Sequence, residues 1–373
     1  MRIEPFLMER WQSTHENHVE INLSDSGVHP MTLRELGLPA AELEGLLDER
    51  LVYTQTNGTA LLRERIAALY PGAGPDHIEA TNGGAEANFM ALWTLVEPGD
   101  EVVVQLPNYM QVFGIAESLG ATMRSWNMRA DFESGRWQFD TDALEALVNE
   151  RTKLICLCNP NNPTGARMSA ETLDRIAAIA DRHGAWILCD EIYRGSDLDD
   201  QETPTMWGRS ERVVISSSLS KSYGLPGLRL GWVAAPPQLA DDMWLRHDYT
   251  TIAPGALSDR VGTYVFDPDI RTSVLARTRR LLTTNHALIA GWLADHTGTL
   301  QYIAPDAGAM LFLRYDAAIN STELAERLRV EKSVLLVPGD HYGMDGWLRI
   351  GFGGETDHVE TGLARVHDLL STL

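Results

Sequence analysis

The middle of the chain alternates short apolar runs with amphipathic ones. "DEVVVQL" (100–106) is a β-branched run opened by the turn "PGD", and it predicts a buried strand. "KLICLCN" (153–159) predicts another. "SAETLDRIAAIADRHG" (169–184) puts Leu173, Ile176, Ala177 and Ala180 at helical spacing, with Ser169 as N-cap and Gly184 as the stop. "AWILCDEIY" (185–193), "RVVISSS" (212–218) and "LRLGWVAA" (228–235) read as further strands. Strands separated by helices of about a dozen residues predict βαβ units and a mostly parallel sheet, because parallel neighbours need a crossover.

After about residue 250 the pattern changes. A long helical stretch (269–296) leads into "AMLFLRY", an amphipathic "STELAERLRVEK", and short strands at "VLLVPG" and "WLRIGF". The first forty residues show no periodicity, and "SDSGVHP" reads as a loop. The expected organisation is an N-terminal segment (1–44) packing with the small domain, a large domain (45–250), and a small C-terminal α+β domain (251–373).

Composition narrows the function classes. The chain has 373 residues, 44% of them hydrophobic, enough for one large core and a second smaller one. A formal net charge of −21 argues against nucleic acid and against an anionic membrane surface, since both need a basic footprint. The three cysteines, Cys156, Cys158 and Cys189, lie in strand-like apolar runs, which predicts buried free thiols in a reducing compartment. None of the eleven histidines groups with them, so no metal site is expected. The N-terminus carries acids and no long apolar core, and no stretch reaches membrane-spanning length. The expected location is cytoplasmic.

In parallel α/β sheets ligands bind beyond the carboxyl ends of the strands. Several polar residues fall there. Strand 153–159 runs into "NPNNPTG", either a double turn or a ligand loop. Strand 185–190 ends on Asp190, and "WILCD" is too apolar to end in an acid without a cationic partner. "TNGGAEAN" is either a plain turn or a glycine-rich helix entry whose free N–H groups suit an anion. It is neither a GxGxxG fingerprint nor a Walker loop. Lys221 stands among Ser216, Ser217, Ser218, Ser220 and Ser222. A lysine there is a solvated charge or a nucleophile whose pKa burial lowers. Arg229, close behind, adds a planar fork suited to phosphate. An amine, a buried carboxylate, hydroxyls, an arginine and an aromatic face are together what a phosphorylated aldehyde cofactor needs.

That combination resembles the class I/II aminotransferases, which use pyridoxal 5'-phosphate on fold type I. The resemblance covers roughly residues 20–370, with its motifs in family order. It implies a mostly parallel central sheet flanked by helices, a smaller α+β domain, and specific roles. Lys221, in "SLSKSYGLPGLRLG", matches the lysine that forms the internal aldimine. Ser218 and Arg229 match phosphate ligands, as does the loop Gly84, Ala85 and Glu86 through backbone N–H groups. Asp190 and Tyr193, in "DEIY", match the carboxylate on the pyridine nitrogen and the phenol near the ring oxygen. Asn162 matches the other partner of that oxygen, and Tyr109 the ring stacked on the cofactor. Arg349, in "WLRIGF", matches the arginine that grips the substrate carboxylate. Tyr53 matches a tyrosine reaching the neighbouring subunit's phosphate, which implies a homodimer with shared active sites.

The implied reaction is ping-pong transfer of the amino group of an α-amino acid to a 2-oxo acid. A narrower resemblance, carried by "SDSGVHPMTLREL" and "SKSYGLPGLRLGW", is to capreomycidine synthase-like enzymes of antibiotic biosynthesis. It implies the alternative: elimination and ring closure on a hydroxyarginine-type substrate. Such a cationic substrate wants acids nearby. The N-terminal segment offers Glu16, Asp25 and His29, beside Gly27 and Val28 as further substrate-binding candidates.

Overall fold

The computed structural model describes residues 2–199, 201–296 and 298–373. Among these residues, a seven-stranded sheet runs in the order Ile78–Thr81, Gly231–Ala234, Val213–Ser218, Trp186–Asp190, Thr152–Cys158, Glu101–Leu106, Thr122–Asn127. Val102, Val103 and Val104 are fully buried, as an apolar run in a strand covered on both faces must be. The five strands from Val213–Ser218 to Thr122–Asn127 pair in parallel. Gly231–Ala234 is antiparallel to both its neighbours. Its physical reason is local: residues 219–230 contain only the short 3-10 turn Pro226–Leu228, so no helix carries the chain across. The strand expected from 228 therefore begins at Gly231, after Arg229 in the left-handed region at φ 49°.

Ser169 caps the helix Ala170–His183 by accepting from the Thr172 N–H, and Gly184 closes it at φ 68°. Register puts Asp190 between Cys158 and Ser216, so the strand ends of the "NPNNPTG", "DEIY" and "SSSLSK" motifs meet at one sheet edge.

A four-stranded antiparallel sheet orders Leu300–Tyr302, Met310–Tyr315, Trp347–Gly351 and Val337–Pro338. The N-terminal strand Ile21–Asn22 pairs in parallel with Val334–Leu335, and Ile21 and Leu23 enter the core of this smaller unit. Core membership does not change at residue 250, however. Val261, Val265, Val274 and Leu275 lie in the large core, whereas Leu282, Ile289 and Leu293 lie in the small one. The reason is the 27-residue helix Pro268–Ala294, about 40 Å long, which serves both units. Leu36, Leu38 and Leu46 likewise join the large core.

Among the elements that escaped the hydropathy pattern, one bears on the site. Leu7–His15 is a helix, with no side-chain cap and only Met8 buried, so it carries no apolar stripe. Among the described residues no helix is long and apolar enough to cross a membrane.

Candidate active site

The sheet edge opens into a cavity of about 270 Å³. At its floor Asp190 is 8% exposed. Its Oδ2 accepts from Asn88 Nδ2 at 3.0 Å and its Oδ1 from the Ile192 N–H at 3.0 Å. Asn88 is fixed in turn by Ser216 Oγ, which donates to its Oδ1 at 2.6 Å. Burial pushes the Asp190 carboxyl up to about 6, against the pull of those two hydrogen bonds. A carboxylate in such a place is stabilised by a cation lying over the cavity floor.

Lys221 lies beyond the end of strand Val213–Ser218 and lines the same cavity. Its Nζ donates to Asp25 Oδ1 at 3.1 Å. The Lys221 ammonium holds the half-exposed Asp25 down at about 2, helped by the Gly27 N–H. On the wall, Tyr193 OH shares a 2.8 Å hydrogen bond with Ser26 Oγ. Burial pushes the Tyr193 phenol up.

The helix Gly84–Leu95 aims its N-terminus at the cavity, preceded by Gly83 at φ 93°. A Cβ at Gly83 would land on the Arg229 guanidinium, so only glycine lets that arginine close over the turn. Arg229 Nη1 donates to Ser220 Oγ at 3.3 Å and Nη2 to the Asn82 carbonyl at 3.4 Å. Ser218 Oγ accepts from the Ser220 N–H at 3.1 Å. Hydroxyls, helix N–H groups and a guanidinium therefore converge, a donor set for a phosphate monoester.

The roof is the helix Leu7–His15. Tyr109 OH donates to Glu9 Oε1 at 2.7 Å, and Phe6 meets the Tyr109 ring edge-on at 4.9 Å. Arg349, 1% exposed, stands behind Asn162: its Nη1 donates to Asn162 Oδ1 at 2.9 Å, its Nη2 to the Ser24 carbonyl, and its Nε has no partner. Gly351 and Gly353 make the bed for this loop. A Cβ at Gly351 would overlap the Asp25 carbonyl, and one at Gly353 the Gly27 carbonyl.

Of the residues singled out from sequence, Lys221, Asp190, Tyr193, Asn162, Tyr109, Gly84, Ala85 and Arg229 line the one cavity. Ser218 sits buried just behind Ser220. Arg349 touches Asn162 rather than lining the cavity. Glu86 turns its carboxylate outward to Thr250 and Thr251. Gly27, Val28 and His29 line an adjoining cavity together with Asp25. Glu16 is exposed, its carboxyl raised by partial burial and by the charges of Asp25 and Glu9. Tyr53 is 79% exposed and does not line this cavity.

Sequence reasoning missed Asn88, Ser26, Glu9 and Gln12. Asn88 carried a signal, as a polar residue inside the apolar helical run "AEANFMALW". The others sit on a segment without periodicity and gave none.

Pyridoxal phosphate fits these residues. The amine and the buried acid share one cavity, and the glycine-lined turn under Arg229 offers donors suited to its phosphate. The comparisons agree. The family description "Aminotransferase class I and II" matches residues 23–366. Capreomycidine synthase of Streptomyces vinaceus is 32% identical over 374 residues, covering 98% of this chain and 93% of that one. The arginine–pyruvate transaminase of Pseudomonas aeruginosa is 27% identical, covering 83% of this chain and 80% of that one. A crystal structure of a PLP-dependent aminotransferase from Streptococcus suis superposes with a TM-score of 0.93 at 33% identity, covering 100% of this chain and 99% of that one. With its fold type I architecture and pyridoxal phosphate as cofactor, the chain belongs to the class I and II aminotransferases.

Proposed function

We propose that the protein transfers the amino group of an α-amino acid with a cationic side chain to a 2-oxo acid. The observation that carries this reading is that the Lys221 amine and the buried Asp190 carboxylate open into one cavity. Pyridoxal phosphate, when bound, supplies a sink for the electron pair left by a broken Cα–H bond. Asp190 holds the proton on the ring nitrogen. Lys221 carries the proton to and from the substrate Cα as the general base and acid. Arg349, held by Asn162 and Ser24 just behind the cavity, would give the α-carboxylate a charged partner once Asn162 yields to substrate, and so fix which Cα bond is broken. Tyr193 and Asn162, which line the cavity, would hold the cofactor's ring oxygen. Glu9, Glu16 and Asp25 crowd carboxylates on the N-terminal side of the site, which supports a basic substrate side chain.

A second reading is elimination and ring closure on a hydroxyarginine-type amino acid. The Asp25 carboxylate beside Lys221 favours it, because it places a counter-charge for a guanidinium next to the amine. The likeness to capreomycidine synthase supports it too.

Leu47, Leu51, Val52 and Tyr53 are exposed, as are Leu245 and Tyr249, and Trp244 Nε1 donates to Thr56 Oγ1 at 2.7 Å between the two segments. These exposed apolar side chains support a homodimer in which Tyr53 reaches the partner's phosphate site. The three cysteines are buried and unbridged, which supports a cytoplasmic location.

One experiment separates the readings. Single amino acids are mixed with the coloured protein without any 2-oxo acid. A transaminase loses its visible band, releases one equivalent of 2-oxo acid, and regains the band with 2-oxoglutarate. A cyclase turns over many equivalents of hydroxyarginine and keeps its band. Neither behaviour with any amino acid overturns both.

A further inference from the structure

Behind the phosphate cup, outside the cavity, three ionisable side chains pack against one another. Glu79, on strand Ile78–Thr81, is 1% exposed, and His247, at the end of helix Pro237–His247, is fully buried. His247 Nδ1 lies 2.7 Å from Glu79 Oε1, and its Nε2 lies 3.4 Å from Glu86 Oε2 and 3.0 Å from Thr251 Oγ1. Burial opposes charge on the imidazole, but the two carboxylates prevail and raise it to about 9. The hydroxyls of Thr250 and Thr251 donate to Glu86 Oε1 at 2.7 and 2.8 Å.

The position of Glu86 makes this arrangement consequential. It sits in the first turn of the helix whose N-terminus forms the cup. A carboxylate free to swing there would occupy the unpaired N–H groups and repel a phosphate dianion. Here it is drawn to the outer side. Its Oε2 accepts from the Asn82 N–H at 2.6 Å, which ties the glycine turn back to the helix. Asn82 Nδ2 donates to Thr251 Oγ1 at 2.6 Å and to the Ala253 carbonyl at 3.0 Å, while its own carbonyl receives Arg229 Nη2 at 3.4 Å. One contact chain thus runs from Glu79 through His247, Glu86 and Asn82 to the phosphate arginine.

We propose that His247, backed by Glu79, is a positioning residue for cofactor phosphate: it restrains the Glu86 carboxylate outside the cup and, through Asn82, sets Arg229. The proposal rests on the cofactor assignment above and concerns the phosphate rather than the ring.

The test titrates wild type, His247→Gln and His247→Gln/Glu86→Gln with pyridoxal phosphate and, separately, with pyridoxal, which lacks the phosphate. Binding is read from the visible band and by equilibrium dialysis, and circular dichroism melts check each fold. Losing one charged contact corresponds to about 10- to 100-fold in affinity. His247→Gln is expected to weaken pyridoxal phosphate by that factor and pyridoxal by less than about 3-fold. The double variant, which also removes the charge to be restrained, recovers most of the loss. Equal weakening of both ligands, or no weakening of either, overturns the proposal. If His247→Gln does not fold, Thr251→Val removes one arm of the same clamp; it must show a smaller loss confined to pyridoxal phosphate, and no selective loss overturns the proposal. A folded wild type that forms no coloured complex sinks the cofactor assignment instead, and the brace with it.

Discussion

Lys221 Nζ donates to Asp25 Oδ1 at 3.1 Å, joining residues 196 apart in sequence. The lysine comes from the end of the large sheet, and the acid comes from a loop lying on the small one. The Lys221 amine is therefore held where the two units meet, and the N-terminal loop contacts it directly.

Asp25→Asn keeps the shape and removes the charge. We expect kcat/KM for an arginine-like donor to fall about 10-fold more than for a neutral donor, on the scale of one charge-assisted contact. Steady-state kinetics with both donors decide this. Equal falls would mean that Asp25 acts through Lys221 alone.

Lys221→Ala removes the amine proposed as base and as the cofactor's covalent anchor. The visible band of the bound cofactor should disappear, and single-turnover proton exchange at Cα, followed by NMR in deuterated water, should slow by about 10³-fold or more. Persistence of the band would place the anchor elsewhere.

Asp190→Asn keeps one acceptor oxygen, enough for only one of the two hydrogen bonds from Asn88 and Ile192, and takes away the negative charge proposed to face the ring nitrogen. Turnover should fall by about 10²-fold or more while the protein still folds, because the electron sink weakens without its proton. Stopped-flow spectra of the substrate-mixed variant measure the slowed step.

The buried triad makes stability depend on pH. His247 is raised from 6.5 to about 9, so its contribution is complete below 6.5 and is lost as pH rises through 9. Glu79 is raised from 4.5 to about 7 by burial, so it also loses stability as pH rises, between 4.5 and 7. Glu86 has the opposite sign: hydrogen bonds from His247, Asn82 and the threonines outweigh burial and lower it to about 2, so its share is lost only in acid. Arg63 is the further charge acting on Glu79. The melting temperature should drop by on the order of 5 °C between pH 6.5 and 9.5, and His247→Gln should flatten that slope. Calorimetric scans across the range measure it, and parallel slopes would contradict the assignment.

Val52→Asp places a charge in the exposed apolar face beside Tyr53. Sedimentation of the wild type should give twice the chain mass, and the variant should shift toward one chain and release cofactor on dilution.

Much of the site was legible because strands announce their own ends. The apolar runs 153–159, 185–190 and 212–218 each stop at a polar motif, and parallel register then brings Asn162, Asp190 and Lys221 to one edge without further information. The roof was not legible. Helix Leu7–His15 owes its place to single long-range contacts, such as Trp11 Nε1 donating to the Leu336 carbonyl at 2.8 Å, and these leave no local pattern. The Glu79–His247–Glu86 triad was hidden for a related reason, since its members come from a strand and two helices. The break between units was also masked, because helix Pro268–Ala294 shares its apolar positions between two cores.

The bare backbones of Gly351 and Gly353 have a consequence for how substrate preference changes. They sit just past the strand residue Arg349 and beneath the loop that carries Asp25. Any side chain at Gly351 would lift that loop, swinging its acid off the lysine while leaving every reacting group chemically intact. On the proposed function, donor choice would thus be open to revision from the strand beneath the acid, through nothing more than added bulk.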